Sequence, residues 1–193
     1  MSANATNLEI EVKIRWTDGA EAARRMIEAA GCALTEPRTL ESDTVFDRDT
    51  GALRRADQLL RLRRAGNQAV VTYKGPSRGG RYKTREEIEF HVSDAGKLSE
   101  VLDRLGYQPR FRYEKYRTKF AAPGEPGIVS IDETPIGVFL ELEGEPEWID
   151  RTAARMGLAS TAYLTRSYAS LYQEYLRTHP GALQDMTFGG ATA

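Results

Sequence analysis

Apolar and charged residues alternate along much of this chain. In LEIEVKIRW, residues 8–16, Leu8, Ile10, Val12 and Ile14 stand between Glu9, Glu11, Lys13 and Arg15. A period of two predicts a β-strand with one charged and one apolar face. Seven further stretches read as strands: SDTVFDR (42–48), LLRLRR (59–64), AVVTYKG (69–75), REEIEFHV (85–92), RYEKYRTKF (112–120), GIVSID (127–132) and GVFLELEG (137–144). Between them the period changes to that of amphipathic helices. One runs from Asp18, paired with Glu21 in capping-box spacing, to a stop at Gly31, with Ala23, Met26, Ile27 and Ala30 on one side. A second runs from Ser93 to Gly106, with Leu98, Val101, Leu102 and Leu105 inward, and a third from Pro146 to Gly157. A fourth is expected from about Ser160, its tyrosines and leucines packing. Residues 179–193 show no periodicity and read as a flexible tail.

An internal echo orders these elements. IEVKIRWTDGAEAARRMIEAAGC is similar to IEFHVSDAGKLSEVLDRLGY, each a carboxylate-bearing strand, a capped helix and a glycine stop, and each is followed by three more strands. This predicts one domain, residues 1–178, built from two repeated halves at about 8–80 and 84–178. The fold class is α+β: eight mostly antiparallel strands closing into a barrel able to hold one small ligand, coated by helices.

One charged alternation describes the wet face of a sheet. Here the spacing recurs in Glu9, Glu11 and Lys13; Arg61 and Arg63; Thr72 and Lys74; Arg85, Glu87 and Glu89; Lys115 and Arg117; Glu141 and Glu143. The residues between them, such as Ile10, Val12, Leu60, Leu62, Val71, Tyr73, Ile88, Phe90, Leu140 and Leu142, form an apolar face that helices could cover from outside. The charges then line the bore. Cations and carboxylates in one confined space require pairing, water and counter-ions, because an unpaired buried charge costs several kcal/mol. A polyanion that brings divalent cations would satisfy both signs, guanidinium and ammonium groups gripping phosphate while carboxylates hold metal.

Composition narrows the alternatives. With 40% hydrophobic and 28% charged residues and a net charge of −1, the chain suits a globular domain without sequence-wide affinity for nucleic acid. Cys32 and two histidines are too few for a structural zinc site, so any metal must be held by carboxylates, which favours Mg2+ or Mn2+. No apolar run is long enough for a membrane span, and MSANATN lacks the features of a signal peptide, so a cytoplasmic enzyme is expected. Cys32 reads as packing, His91 as a solvated strand end, and Arg54 and Arg55 as exposed turn residues.

The E-x-E-x-K of Glu9, Glu11 and Lys13, followed in order by LLRLRR, VTYKGP, REEIEF, EKYRTKF, SIDE, GVFLELEG and LTRSY, resembles the CYTH superfamily of triphosphate tunnel enzymes. That superfamily includes class IV adenylate cyclases, thiamine triphosphatases and inorganic triphosphatases. The resemblance implies an eight-stranded tunnel and metal-dependent chemistry on a triphosphate. It implies phosphate binding by Lys13, Arg61, Arg63, Lys74, Arg85, Lys115 and Arg117, and metal binding by Glu9, Glu11, Glu141 and Glu143. Asp132, Glu87 and Glu89 would support metal or catalytic water. Lys13, if set among other cations, would have a lowered pKa and serve as the base. Ser167 and Tyr168 match a motif on the family's last helix, for packing or for substrate contact. Three functions stay open: hydrolysis of inorganic triphosphate, thiamine triphosphate or another small triphosphate, the favoured reading; cyclisation of ATP to cyclic AMP and pyrophosphate; and polyphosphate binding without chemistry. The chain would work as a monomer or homodimer.

Overall fold

A computed structural model describes residues 8–189. All eight expected strands form: β1 (Leu8–Trp16), β2 (Ala33–Asp47), β3 (Leu59–Ala65), β4 (Gln68–Lys74), β5 (Lys83–His91), β6 (Gln108–Ala121), β7 (Ile128–Thr134) and β8 (Gly137–Glu143). They close into an antiparallel barrel in the order β1-β5-β4-β3-β2-β6-β7-β8. Exchanging the first four strands with the last four leaves this circular order unchanged when it is read in the opposite direction. The seam at β1 is shared. β5 pairs with it only from Leu8 to Glu11 and β8 from Glu11 to Trp16, while Leu164 exchanges both backbone hydrogen bonds with Lys13 at 2.9 and 2.8 Å.

Five helices accompany the barrel: α1 (Ala20–Ala29), α2 (Ala52–Arg55), α3 (Ala95–Arg104), α4 (Pro146–Arg155) and α5 (Tyr168–Thr178). Strand parity sends Val12, Ile14, Val129, Ile131, Leu140 and Leu142 outward, where they pack with Ala23 and Ile27 of α1 and Trp148, Ile149 and Ala153 of α4. Cys32 is buried in the same cluster. α3 covers Phe46 and Leu62 through Leu102 and Leu98. Each fully buried aliphatic or aromatic side chain contributes about 1.5–3 kcal/mol, so this outer shell, with the helices as its lid, is the apolar core. No helix among the described residues is long and apolar enough to cross a membrane.

Several expectations change. β2 and β6 are longer than their alternation suggested, because residues 33–40 are exposed throughout and lack a buried face, and Pro37 falls among shifts in their pairing. α1 begins after Gly19, without a side-chain cap from Asp18, whereas Asp94 does cap α3 by accepting from the Lys97 amide at 2.9 Å. Val101 and Leu105 of α3 are exposed, as are Ile88 and Phe90 of β5, so the helical coat leaves the outer face of β5 open. Arg54 and Arg55 lie in the short α2 rather than in a turn; Asp47 holds it by accepting from the Leu53 and Arg54 amides.

The last helix starts at Tyr168 instead of Ser160. Residues 160–162 form a single 3-10 turn, Leu164 is tied to β1, and Ser167 caps the helix by accepting from the Ser170 amide. α5 is no part of the outer coat. Tyr168, Leu171 and Tyr172 pack on Phe139 and Tyr113, which share the inward face with Glu141 and Lys115, so α5 closes one end of the barrel. The segment read as a flexible tail is largely exposed but anchored: Met186 is fully buried and bonded to β6 on both its amide and its carbonyl. Residues 190–193, and the MSANATN reading, lie outside the described residues.

Gly127, just before β7, supports the flat face of Trp148: a Cβ there would come within 2.3 Å of the indole. Gly127→Ala should therefore destabilise the fold by about 1–3 kcal/mol through overpacking. Urea unfolding checks this, and an unchanged midpoint would mean that the turn yields without moving Trp148.

Candidate active site

The inward faces of the eight strands enclose a cavity of about 480 Å³. Its wall carries nine cations, Lys13, Arg61, Arg63, Lys74, Lys83, Arg85, Lys115, Arg117 and Lys119, and six carboxylates, Glu9, Glu11, Glu87, Glu89, Glu141 and Glu143. Every cation expected to bind phosphate is among them. So are the four glutamates expected to hold metal, and Glu87 and Glu89. Asp132, Glu41 and Asp43 are buried and absent from the cavity surface, so the excess positive charge faces inward.

The charges pair across the strands in two networks, a small one around Glu9 and a longer one that runs from Lys83 through Glu11, Glu141 and Asp132 to Arg61. Lys74 reaches Glu9 at 2.5 Å and Glu87 at 3.1 Å; Lys83 reaches Glu11 at 2.7 Å; Lys13 reaches Glu11 at 2.9 Å and Glu141 at 3.2 Å. Arg117 is paired with Glu141 as well. Asp43 accepts from Arg63 at 2.9 and 3.3 Å and lies 3.4 Å from Arg61, and Glu41 stands 3.0 Å from Arg63 and 3.5 Å from Lys115. Glu89, half exposed, accepts from the Thr72 hydroxyl at 2.9 Å. Two buried atoms remain without hydrogen-bond partners on the basic side: Arg61 Nε and Arg85 Nε, their nearest carboxylates 3.4 and 3.7 Å away.

Asp132 has the most saturated position. One of its oxygens accepts from Arg117 Nε at 2.6 Å; the other accepts from Lys115 at 2.9 Å, Arg117 at 2.6 Å and the Tyr168 hydroxyl at 2.6 Å. Three of these donors crowd one oxygen, while the other accepts from Arg117 Nε alone. Asp132 therefore holds the basic wall in place from behind the cavity surface, whereas the sequence placed it as support for metal or catalytic water. Burial and the neighbouring Asp132 and Glu141 hold the Tyr168 hydroxyl far above its usual pKa, so it stays a donor.

Lys13 also departs from expectation. Its neighbours are carboxylates, and although burial disfavours its charge, Glu11 and Glu141 outweigh that and raise its pKa. Paired with two carboxylates, Lys13 is held here as a cation, unlike the lysine among cations that the base role assumed. The lysine with a lowered pKa is Lys83, pushed down to about 8 by burial, with Lys13 and Arg85 opposing Glu11. Sequence reading missed Lys83, Glu41 and Asp43. Lys83 shares the parity of Arg85, Glu87 and Glu89 two residues before the assumed strand start, and Glu41 and Asp43 are themselves spaced by two, Glu41 one residue before the assumed start and Asp43 within the strand.

The carboxylate side fits a divalent cation by its chemistry. Glu9, Glu11, Glu141 and Glu143 are all-oxygen donors crowded together; burial and the charges of Glu9, Glu11 and Glu141 push Glu143 up to about 7, and burial with Glu11 raises Glu9. Such mutual repulsion is what a bound cation relieves. As they stand, Glu9, Glu11 and Glu141 are taken up by lysines and arginine, and among the described residues no three carboxylate, histidine or cysteine groups are gathered as a ready metal cage.

Glu41 yields a pH test. Burial opposes its ionisation, but Lys115, Arg117 and Arg63 prevail and bring its pKa from 4.5 to about 2. A carboxylate depressed on folding stabilises above its ordinary pKa, and that contribution disappears as pH falls through the folded value. Glu41→Gln should cost on the order of 3 kcal/mol at neutral pH. The gap to the parent should close between pH 4.5 and about 2, measured by denaturant unfolding across that range.

Known proteins share this fold. The pattern of the CYTH domain family matches residues 7–168. A Methanocaldococcus jannaschii protein provisionally named an adenylate cyclase is 30% identical over 137 residues, 70% of this chain and 76% of that protein. The PH1819 protein of Pyrococcus horikoshii superposes with a TM-score of 0.72 at 26% identity, over 86% of this chain and 99% of that one. A Hippeastrum protein, described as an adenylyl cyclase candidate with a dominant triphosphatase activity, has the same fold at a TM-score of 0.64 and 17% identity, over 86% of this chain and 96% of that one. With its barrel, its inward charges and a family match over most of its length, this chain belongs to the CYTH family.

Proposed function

We propose that this protein is a divalent-metal-dependent hydrolase of inorganic triphosphate or a small organic triphosphate. One observation carries the reading: a closed-ended cavity with a surplus of cations in which two buried guanidinium nitrogens have no hydrogen-bond partner. A buried donor without a partner costs about 1–3 kcal/mol, and phosphate oxygens would relieve it.

In this reading Arg61, Arg63, Lys74, Arg85, Lys115 and Arg117 bind the non-bridging oxygens and spread the charge that grows on the transferring phosphoryl group. Lys13 adds a fixed positive charge. Glu9, Glu11, Glu141 and Glu143 would hold Mg2+ or Mn2+, which when bound polarises phosphoryl oxygens. Glu87 and Glu89 orient water, Glu89 being aimed by the Thr72 hydroxyl. Water oxygen attacks the terminal phosphorus, the bond to the bridging oxygen breaks, and orthophosphate leaves with a diphosphate.

The name of the Methanocaldococcus relative favours a second reading, cyclisation of ATP. That reaction needs a slot for adenine. The only aromatic residues on the described cavity wall are Tyr113 and Tyr168, packed together with α5 at the closed end, their hydroxyls directed to Arg61 and Asp132. This supports hydrolysis over cyclisation.

The assay offers inorganic triphosphate, thiamine triphosphate and ATP to the purified protein with magnesium or manganese, and measures orthophosphate, pyrophosphate and cyclic AMP. Orthophosphate is expected; cyclic AMP with pyrophosphate would establish the cyclase instead, and no product at all would sink both. Arg85→Ala should raise KM roughly 10- to 100-fold through loss of a charged hydrogen bond. Glu9→Ala and Glu11→Ala should abolish metal-dependent turnover while circular dichroism stays at the parent's, and retained activity would refute their role as ligands.

A further inference from the structure

α5 enters the barrel end with Ser167, Tyr168 and Ala169 on the cavity surface. Tyr168 is the inner tip of this plug. Its hydroxyl donates to the same Asp132 oxygen that holds Lys115 and Arg117, and its ring lies 5.4 Å from the Lys13 ammonium and 5.1 Å from that of Lys115. One side chain thus touches, directly or through Asp132, three cations of the wall. α5 is itself tied down from outside. Tyr172 donates to the carbonyls of Leu183 and Asp185 at 2.6 and 3.1 Å, the Asp185 carboxylate accepts from the Arg112 amide at 2.8 Å, and Met186 is bonded to Arg112 and Glu114 of β6 at 3.0 and 2.9 Å. Met186 has no exposed surface and belongs to the cluster of Tyr113, Phe139, Tyr168 and Tyr172.

We propose that Tyr168 is a positioning residue that sets the geometry of Lys115 and Arg117, and that the segment 183–188 is a strap that holds Tyr168 in place. The strap pairs with β6 through a parallel bridge at Tyr113, so a segment beyond the last helix controls the arrangement of the interior cations. The consequence for ligand binding rests on the triphosphate reading; the coupling itself does not.

The test uses the full chain and two readouts, the 1H–15N signal of the Arg117 side chain and the affinity for tripolyphosphate by calorimetry. Tyr168→Phe keeps the ring and removes the hydroxyl. It should displace the Arg117 signal and weaken tripolyphosphate about tenfold, the effect of a hydrogen bond to a charged group. Met186→Asp, or the milder Met186→Ala should the first fail to fold, should displace the same signal, and combining it with Tyr168→Phe should add little further loss, because both act through one contact. An unmoved Arg117 signal in Tyr168→Phe, even with a lower melting temperature, overturns the positioning role. An unmoved signal in Met186→Ala, or losses that add in full, overturns the strap. If the parent fails to bind tripolyphosphate, the triphosphate reading falls, and the Arg117 signal still decides the coupling.

Discussion

A charge inside a protein must meet an opposite charge, and the interior of this barrel is built on that requirement. Asp132 has no exposed surface and is bonded to Lys115 and Arg117, and those cations in turn have Asp132, Glu41 and Glu141 beside them. Removing one partner of such a buried set typically costs about 3–5 kcal/mol, so the links enforce one another. They also run between different strands. The pairing therefore fixes the relative positions of strands that the backbone ladder alone would let breathe, and it holds the cations in place before any ligand arrives. Donors already oriented need little rearrangement when a charged group enters, which is where most of the benefit of an electrostatic site lies.

The buried carboxylates divide into two groups. Asp43, Glu41 and Asp132 stand behind the cations and hold them from the rear. Glu9, Glu11, Glu141 and Glu143 face the cavity and crowd one another. The first group fixes the cations from behind; in the second, Glu9, Glu11 and Glu141 are paired with lysines and arginine on the cavity side, while the repulsion among them is greatest at Glu143. The same barrel can therefore serve different phosphoryl chemistry, and fold alone does not decide between them.

The barrel was legible in the sequence because parity is rigid: once the recurring charged positions are set on one face, every strand follows and the interior must be charged. The strand ends were not. Residues 33–40 are exposed on both sides and carry no alternation, which hid the length of β2 and with it Glu41. The role of Lys13 failed for a different reason. Alternation gives the face on which a side chain lies but not its neighbours around the barrel, and register places Lys13 opposite Glu141. Likewise the periodicity of α5 shows a packed helix but not whether it packs outside the barrel or in its end. Nothing local marks 183–188 as structured, since its order comes from bonds to distant Arg112, Glu114 and Tyr172.

The divided seam at β1 governs when the barrel can exist. β1 is made before β5 and long before β8, and its remaining edge is completed by Leu164, after the last strand. On the ribosome β1 has no neighbour to pair with, and its two faces, one apolar and one charged, wait unsatisfied while most of the chain is synthesised. Contacts so distant in sequence are slow to form and leave strand edges exposed in the meantime. The closed ring of strands thus ties the first strand to the last one and to the turn beyond it, so the barrel closes only through contacts distant in sequence.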